Sequence, residues 1–285
     1  MKRKQFKPQS LATQLHWVFF FIILLFVIIM IITNWVWRKS YAQQIQENAY
    51  QDIRLISSQT AEEFDQIENL SYSIIDSQTI QTQLNAINEE PAKNTRELIT
   101  MRSTLNNTVN NLTRNNHSLR NIILLSSNKE NNVNFIANKA NVINNYSTTD
   151  IIDMLPDEPA KGVWLFNDSL TRGVYARKIF STIDLSLQHI GTLICIVDTS
   201  FLKNEKNNLP FSAEEGLFFL AYKDQMFSTD VDQKTSDVFL NKYEESPLQE
   251  NQLFDTLTFQ GKKYYAALNY HNDFKFIYLV PDNKV

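Results

Sequence analysis

Residues 15–37 read LHWVFFFIILLFVIIMIITNWVW, and this stretch determines the class of protein. Between Trp17 and Ile32 it contains no charged or amide side chain. As a helix it would span about 34 Å, slightly more than the roughly 30 Å of a bilayer's hydrocarbon core. Tryptophans stand at both ends, and indoles prefer the membrane interface. The sequence therefore predicts a transmembrane helix over residues 15–37.

Flanking charge predicts the orientation of this helix. Four basic residues precede it and two follow it, namely Lys2, Arg3, Lys4 and Lys7, then Arg38 and Lys39. Because the larger basic cluster usually stays in the cytoplasm, we predict a cytoplasmic basic tail at residues 1–14 and an extracytoplasmic chain from about residue 40 onward. The apolar run is longer than a signal-peptide core and no A-x-A-like site follows it, which favours an uncleaved anchor.

The remaining chain is acidic and carries no recognisable catalytic motif. After residue 40 there are 21 Lys and Arg against 31 Asp and Glu, a net charge of 21 − 31 = −10, which argues against nucleic-acid binding. The five glycines are too widely spaced for a phosphate-binding loop, and the four histidines lack metal-ligand spacing. Cys195 is the single cysteine. We therefore expect no enzymatic activity, no cofactor and no metal.

An apolar stripe predicts that the helix continues beyond the membrane. Between residues 45 and 74 apolar side chains recur every three or four positions, which indicates a stalk helix over residues 38–77. Residues 78–203 then change from helical patterns to short runs rich in β-formers, of which Leu119–Ser126 is typical. This change predicts an α/β unit with its helices first and its sheet after.

A second, smaller unit is predicted in residues 204–285. The polar segment Leu202–Phe211, which contains Pro210, is interpreted as a connector. Hairpin turns and one helix near Ser236–Tyr243 then predict a mainly antiparallel sheet. The predicted fold class is α+β: a transmembrane helix, a long stalk helix and two lobes with antiparallel sheets.

The order and spacing of six segments resemble the extracytoplasmic double Cache (dCache) sensor region of YesM-type membrane sensor histidine kinases. The segments are SLRNIILLSSN (118–128), KGVWLF (161–166), VYARKIFS (174–181), HIGTLICIVDTSFL (189–202), GLFFLAYKDQMFSTD (216–230) and GKKYYAALNYHNDFKFIYLVP (261–281). The resemblance implies two PAS-like Cache lobes, membrane-distal in residues 78–203 and membrane-proximal in residues 204–285. Gln225 stands where the family has a glycine, and Phe274 stands at a tryptophan-like position.

The resemblance implies a membrane-anchored ligand-sensing module of a two-component system, working as a parallel homodimer and binding a small molecule or peptide. Kinases of this family continue into a second span, a HAMP linker and catalytic domains. Because these are missing here, we expect a truncated or split chain without catalytic output. Two alternatives stay open. The chain is the sensor region of a chemoreceptor, diguanylate cyclase or AraC-like regulator, or it is a complete anchored binding or interaction protein.

The resemblance also implies a ligand pocket on the distal sheet, beneath the helix–strand connections. Trp164 and Tyr175 would stack on the ligand, and the planar fork of Arg177 would hold a carboxylate or phosphate. Asp198 is the fourth candidate, although it also suits the N-cap of a helix that begins there. Trp164 equally fits a core position, and Arg177 fits a solvated strand position.

Overall fold

The computed structural model describes residues 11–89, 96–114, 116–128, 135–136, 148–158, 161–183, 187–207, 216–245 and 255–281. Helix α1, Leu11–Ile75, runs unbroken for 65 residues, about 97 Å at 1.5 Å per residue. Among the described helices, α1 alone contains a segment long and apolar enough to cross a membrane, Leu15–Tyr41. Its large apolar side chains are exposed. The predicted membrane helix and the predicted stalk therefore form one continuous helix.

Two shorter helices follow α1 and lead into the first sheet. They are α2, Gln78–Glu89, and α3, Arg96–Thr113, and each buries one apolar stripe. The stripe of α2 is Ile80, Leu84 and Ile87, at the spacing of four and three that places side chains on one helix face.

The first sheet has five antiparallel strands in the order β2-β1-β5-β4-β3 within the described residues. They are β1 (Leu119–Ser126), β2 (Phe135–Ile136), β3 (Gly162–Phe166), β4 (Arg172–Phe180) and β5 (His189–Asp198). Helix α4, Thr148–Asp153, lies between β2 and β3 in the chain. Helix α5, Phe201–Asn207, follows β5, so the prediction of a connector from Leu202 onward is wrong at its start.

The second sheet repeats this topology. It consists of β6 (Leu217–Tyr222), β7 (Gln225–Ser228), β8 (Asp255–Phe259), β9 (Lys262–His271) and β10 (Phe274–Pro281), and α6 (Gln233–Glu245) lies between β7 and β8 in the chain. Its order, β7-β6-β10-β9-β8, matches the first sheet strand for strand. The α+β class with two antiparallel sheets is therefore confirmed.

Helix α1 packs against one face of both sheets and joins them into one core. Along the helix, Ser57 first accepts a hydrogen bond from Asn269 of β9, and Ser71 later accepts one from Arg177 of β4. The second sheet therefore lies nearer to the apolar segment of α1, and the first sheet lies farther from it. The opposite face of the first sheet packs on α4, and that of the second sheet packs against Phe239 of α6.

Candidate ligand-binding site

Trp164 lies on the side of the first sheet that faces α1. It is 2% exposed, and its ring centroid lies 4.5 Å from that of Phe64 on α1. Its indole N–H donates to Glu68 Oε1 at 2.8 Å. A buried indole with a satisfied N–H is a core residue. The structure therefore places Trp164 in the layer between the sheet and the helix.

Tyr175 and Arg177 lie in the same layer as Trp164, because alternate residues of a strand share a face. Arg177 is 2% exposed, so it is not a solvated strand residue. Its Nη1 donates to Ser71 Oγ at 3.2 Å, and its guanidinium carbon lies 4.1 Å from the ring centroid of Tyr72. Burial raises the pKa of Tyr175 to about 12, and the Glu68 carboxylate adds to the effect.

Asp198 is separate from these three residues. It pairs with Arg172 in the β4–β5 register, five residues and about 17 Å along β4 from Arg177. Arg120 Nε donates to Asp198 Oδ2 at 2.8 Å, and the Ser200 N–H donates to Oδ1 at 2.9 Å, just before α5. Burial acts to raise the pKa of Asp198, but hydrogen bonds from Ser200 and Arg120 outweigh it and leave the pKa lowered. The bond from Ser200 to Asp198 is that of an Asx-turn, which leads the chain from β5 into α5.

The opposite side of the first sheet, which we call the outer face, is apolar. It consists of residues that alternate with the helix-facing ones on four strands: Ile123 and Leu125, Val163 and Leu165, Val174 and Ala176, and Ile194 and Ile196. Ile151 of α4 and Leu155 after it pack on this surface. The outer face therefore lies beneath α4 and the residue Leu155 that follows it.

Charged side chains border one end of the outer face. Lys178 follows Val174 and Ala176 on the same side of β4, and its ammonium forms an ion pair with the Asp157 carboxylate. The lysine side chain is only 15% exposed, whereas that of Asp157 is almost fully exposed. The hydrogen bond from Lys178 holds the pKa of Asp157 below its ordinary value. One end of an apolar surface thus carries a cation and an anion side by side.

His189 and Thr192 of β5 lie near this ion pair. Thr192 is buried, and its Oγ1 lies 3.5 Å from His189 Nε2. Burial lowers the pKa of His189, and the Lys178 charge acts in the same direction. Neutral imidazole and hydroxyl groups can donate or accept hydrogen bonds. This end of the outer face therefore carries charged and hydrogen-bonding groups beside an apolar surface.

Sequence pattern alone did not identify Lys178 and Asp157 as candidate site residues. The alternation along β4 did contain a signal, because Lys178 falls in the apolar series of Val174 and Ala176 and interrupts it with a charge. Asp157 lies after α4, far from Lys178 in sequence, and only the fold brings them together. Within the described residues, no group of three or more His, Cys, Asp or Glu side chains could hold a metal ion.

Solved sensory domains of bacterial receptors share this fold. The ligand-binding domain of the Campylobacter jejuni chemoreceptor Tlp3, in complex with L-valine, has a TM-score of 0.51 at 14% identity, covering 86% of this chain and 96% of that one. The sensor domain of the V. cholerae histidine kinase DctB has a TM-score of 0.51 at 13% identity, covering 84% of this chain and 98% of that one. The ligand-binding domain of the Pseudomonas fluorescens chemoreceptor CtaA, in complex with L-isoleucine, has a TM-score of 0.50 at 12% identity, covering 87% of this chain and 96% of that one.

No protein-family model and no curated protein sequence matches this chain. At these identities the likeness establishes the fold alone: two Cache-like lobes with antiparallel sheets, joined by a continuous helix to an apolar segment long enough to cross a membrane.

Proposed function

We propose that this chain is a membrane-anchored sensory module that binds a small solute on the outer face and signals through α1. The observation that carries the proposal is the continuity of α1. A single helix contains the apolar segment and packs against both sheets, on the side opposite the outer face. A solute with different affinities for two arrangements of the first sheet would shift the population between them. Since α1 packs on that sheet, the shift would displace the helix relative to the membrane.

We further propose that the solute is an aliphatic amino acid. Its side chain would lie on the apolar outer face, its carboxylate near Lys178 and its ammonium near Asp157. The L-valine and L-isoleucine complexes of Tlp3 and CtaA, whose domains have this fold, support that choice. Trp164, Tyr175 and Arg177 face α1 instead, and direct ligand contact by them or by Asp198 stays a prediction.

Calorimetry on the full chain in lipid nanodiscs tests this proposal. Titration with L-valine and L-isoleucine should give saturable binding, and Lys178→Gln should weaken it about tenfold or more, because a charged hydrogen bond contributes about 1.5–3 kcal/mol. Lys203→Gln, on the exposed side of α5, is the matched control and should bind like wild type. Arg177→Gln tests whether Arg177 contacts the ligand, as the family resemblance implies. Unchanged affinity in this variant would exclude Arg177 from the site.

Two results would overturn the solute proposal. One is the absence of heat or thermal stabilisation across amino acids, organic acids, sugars and short peptides, since a ligand bound only by the folded state raises the melting temperature. The other is wild-type affinity in Lys178→Gln, which would place the ligand elsewhere.

We propose that the tail is cytoplasmic and the two-sheet domain extracytoplasmic. The basic cluster before the apolar segment supports this orientation, as do the structural relatives, which are sensory domains of receptors. Single cysteines at Ser10 and at exposed Asp224, each in a Cys195→Ala background, allow a direct test. A membrane-impermeant maleimide should label intact cells at position 224 and spare position 10. The reverse pattern would invert the orientation.

We propose a YesM-type sensor histidine kinase as the receptor to which this double Cache module belongs, with two copies in parallel through α1. The six segments quoted above and the shared fold of the DctB sensor domain support a kinase. The gene sequence after the Val285 codon tests the assignment. A HAMP linker and a kinase region in frame are expected, and a chemoreceptor coil or a cyclase would overturn it. A monomeric mass in nanodiscs would refute the dimer.

A further inference from the structure

Trp164 is the point at which α1 and the two sheets meet. It lies on β3, an edge strand of the first sheet. Its indole N–H donates to Glu68 of α1 at 2.8 Å, and its backbone N–H donates to the Tyr222 hydroxyl of β6 at 3.5 Å. The ring of Phe274 on β10 stacks on Tyr222 at 4.9 Å and lies 6.3 Å from the Trp164 ring. We call these four residues the sheet junction.

Glu68 carries a partly buried charge at this junction. Burial raises the pKa of Glu68 above its ordinary value of 4.5. The negative charges of Asp65, one turn earlier on α1, and of Asp273, in the β9–β10 turn, act in the same direction. The hydrogen bond from Trp164 and the positive charge of Arg177 oppose them. Since the net direction is upward, Glu68 takes up a proton at a pH at which an ordinary glutamate stays ionised.

Other titratable groups surround Glu68 from each neighbouring element. His271 of β9 lies against Asp65, with 3.3 Å between Nε2 and Oδ2. The Lys161 ammonium, just before β3, forms an ion pair with Glu158, and the charge of Asp273 acts on it more weakly. Burial raises the pKa of Tyr222, as it does that of Tyr175, so both phenols stay neutral as Glu68 titrates. His271 is the imidazole side chain in this set, so a variant of His271 is needed as a control for Glu68.

We propose that Glu68 is a proton-binding site through which this chain responds to extracytoplasmic acidity, independently of any solute on the outer face. Protonation of the carboxylate removes its repulsion with Asp65 and Asp273. The bond from Trp164 persists, because the carbonyl oxygen of a neutral carboxyl still accepts a hydrogen bond. The β9–β10 turn can then approach α1 more closely, so acid draws the second sheet toward the helix.

The effect on stability has a defined sign. The pKa of Glu68 is higher in the folded chain than in the unfolded one, so the folded chain binds the proton more tightly. Its stabilising contribution is complete below the ordinary glutamate value and is lost as the pH rises through the folded-state pKa. Glu68→Gln fixes the neutral form and keeps the acceptor for Trp164, so this variant should melt at or above the wild-type temperature at neutral pH.

Fluorescence of Trp164 provides the test, because this is the only tryptophan outside the apolar segment. The full chain is placed in nanodiscs without added solute and its emission is followed from about pH 4 to about pH 8. The other tryptophans are replaced by phenylalanine, namely Trp17, Trp35 and Trp37. The emission should change with a midpoint above 4.5, Glu68→Gln should abolish the change, and Asp273→Asn should lower the midpoint.

Two control variants make the result specific to Glu68. Asp52→Asn alters another α1 carboxyl whose pKa is raised by burial, and it should leave the Trp164 titration unchanged. His271→Gln, which removes the imidazole beside Asp65, should leave the transition in place. A flat emission profile in the wild-type chain, an unaltered transition in Glu68→Gln, or its loss in His271→Gln would each overturn the proposal. Since no solute is present, this outcome is independent of whether the outer face binds amino acids.

Discussion

Replacing Phe64 by alanine removes the α1 side chain that contacts both sheets at once. Phe64 is 1% exposed. Its ring centroid lies 4.5 Å from that of Trp164 in the first sheet and 4.8 Å from that of Phe274 in the second. The substitution would leave a cavity where helix and sheets meet, because the backbone of a long helix packed on both sides cannot collapse into it.

The expected loss of stability is large. Phe→Ala in a core costs about 3–5 kcal/mol, and the lost aromatic pairs, each contributing about 0.5–1.5 kcal/mol beyond area, favour the upper part of that range. For a domain of roughly 150–250 residues, 1 kcal/mol corresponds to about 2–4 °C in melting temperature. Phe64→Ala should therefore lower the melting temperature by about 6–20 °C, and Phe64→Leu by less.

Thermal unfolding of the full chain in nanodiscs, followed by circular dichroism, measures the effect. Leu55→Ala is the matched control, since Leu55 is on the same helix and is 54% exposed. It should change stability by no more than about 0.5 kcal/mol. If Phe64→Ala costs less than about 1 kcal/mol, or no more than Leu55→Ala, α1 does not form the shared core of the two sheets.

Three further predictions concern single sites. In Gly191→Ala the new methyl group would lie 2.5 Å from the Leu125 carbonyl oxygen, so β1 and β5 must separate and urea unfolding should show a loss of about 1–3 kcal/mol. Cys195 is buried and its pKa is raised to about 12 by burial, so a maleimide should modify it only after denaturation, which mass spectrometry detects. Asp198→Asn replaces a carboxylate whose pKa is lowered in the folded chain and removes its ion pair with Arg120, so the variant should be less stable than wild type at neutral pH. This loss of stability should shrink as the pH falls below the ordinary aspartate range, because the wild-type carboxylate then becomes protonated as well.

Local pattern predicted most of the elements. The β-rich run Leu119–Ser126 is a strand with the predicted ends, and the apolar stripe after the membrane segment belongs to α1. The prediction of a connector from Leu202 failed because the polar composition of LKNEKNN conceals the short helix α5. This helix follows the turn between Asp198 and Ser200, and its Leu202 packs in the core.

The candidate site was only partly predictable. Alternation along β4 correctly puts Tyr175 and Arg177 on one face and Ala176 and Lys178 on the other. It does not say which face lies against α1, because helices cover both faces of the first sheet and both are largely apolar. The sequence could not decide whether Arg177 or Lys178 is the cation for the proposed solute.

The sequence by itself determined the apolar segment, the long helix that continues from it, the α+β class and the antiparallel hairpins, because these depend on residues close together in the chain. Only the tertiary structure decided that one helix packs on both sheets, that Trp164 joins Glu68 to Tyr222, and that Lys178 meets Asp157. The physical reason is that burial and charge pairing arise between residues distant in sequence, and such contacts exist only once the chain has folded.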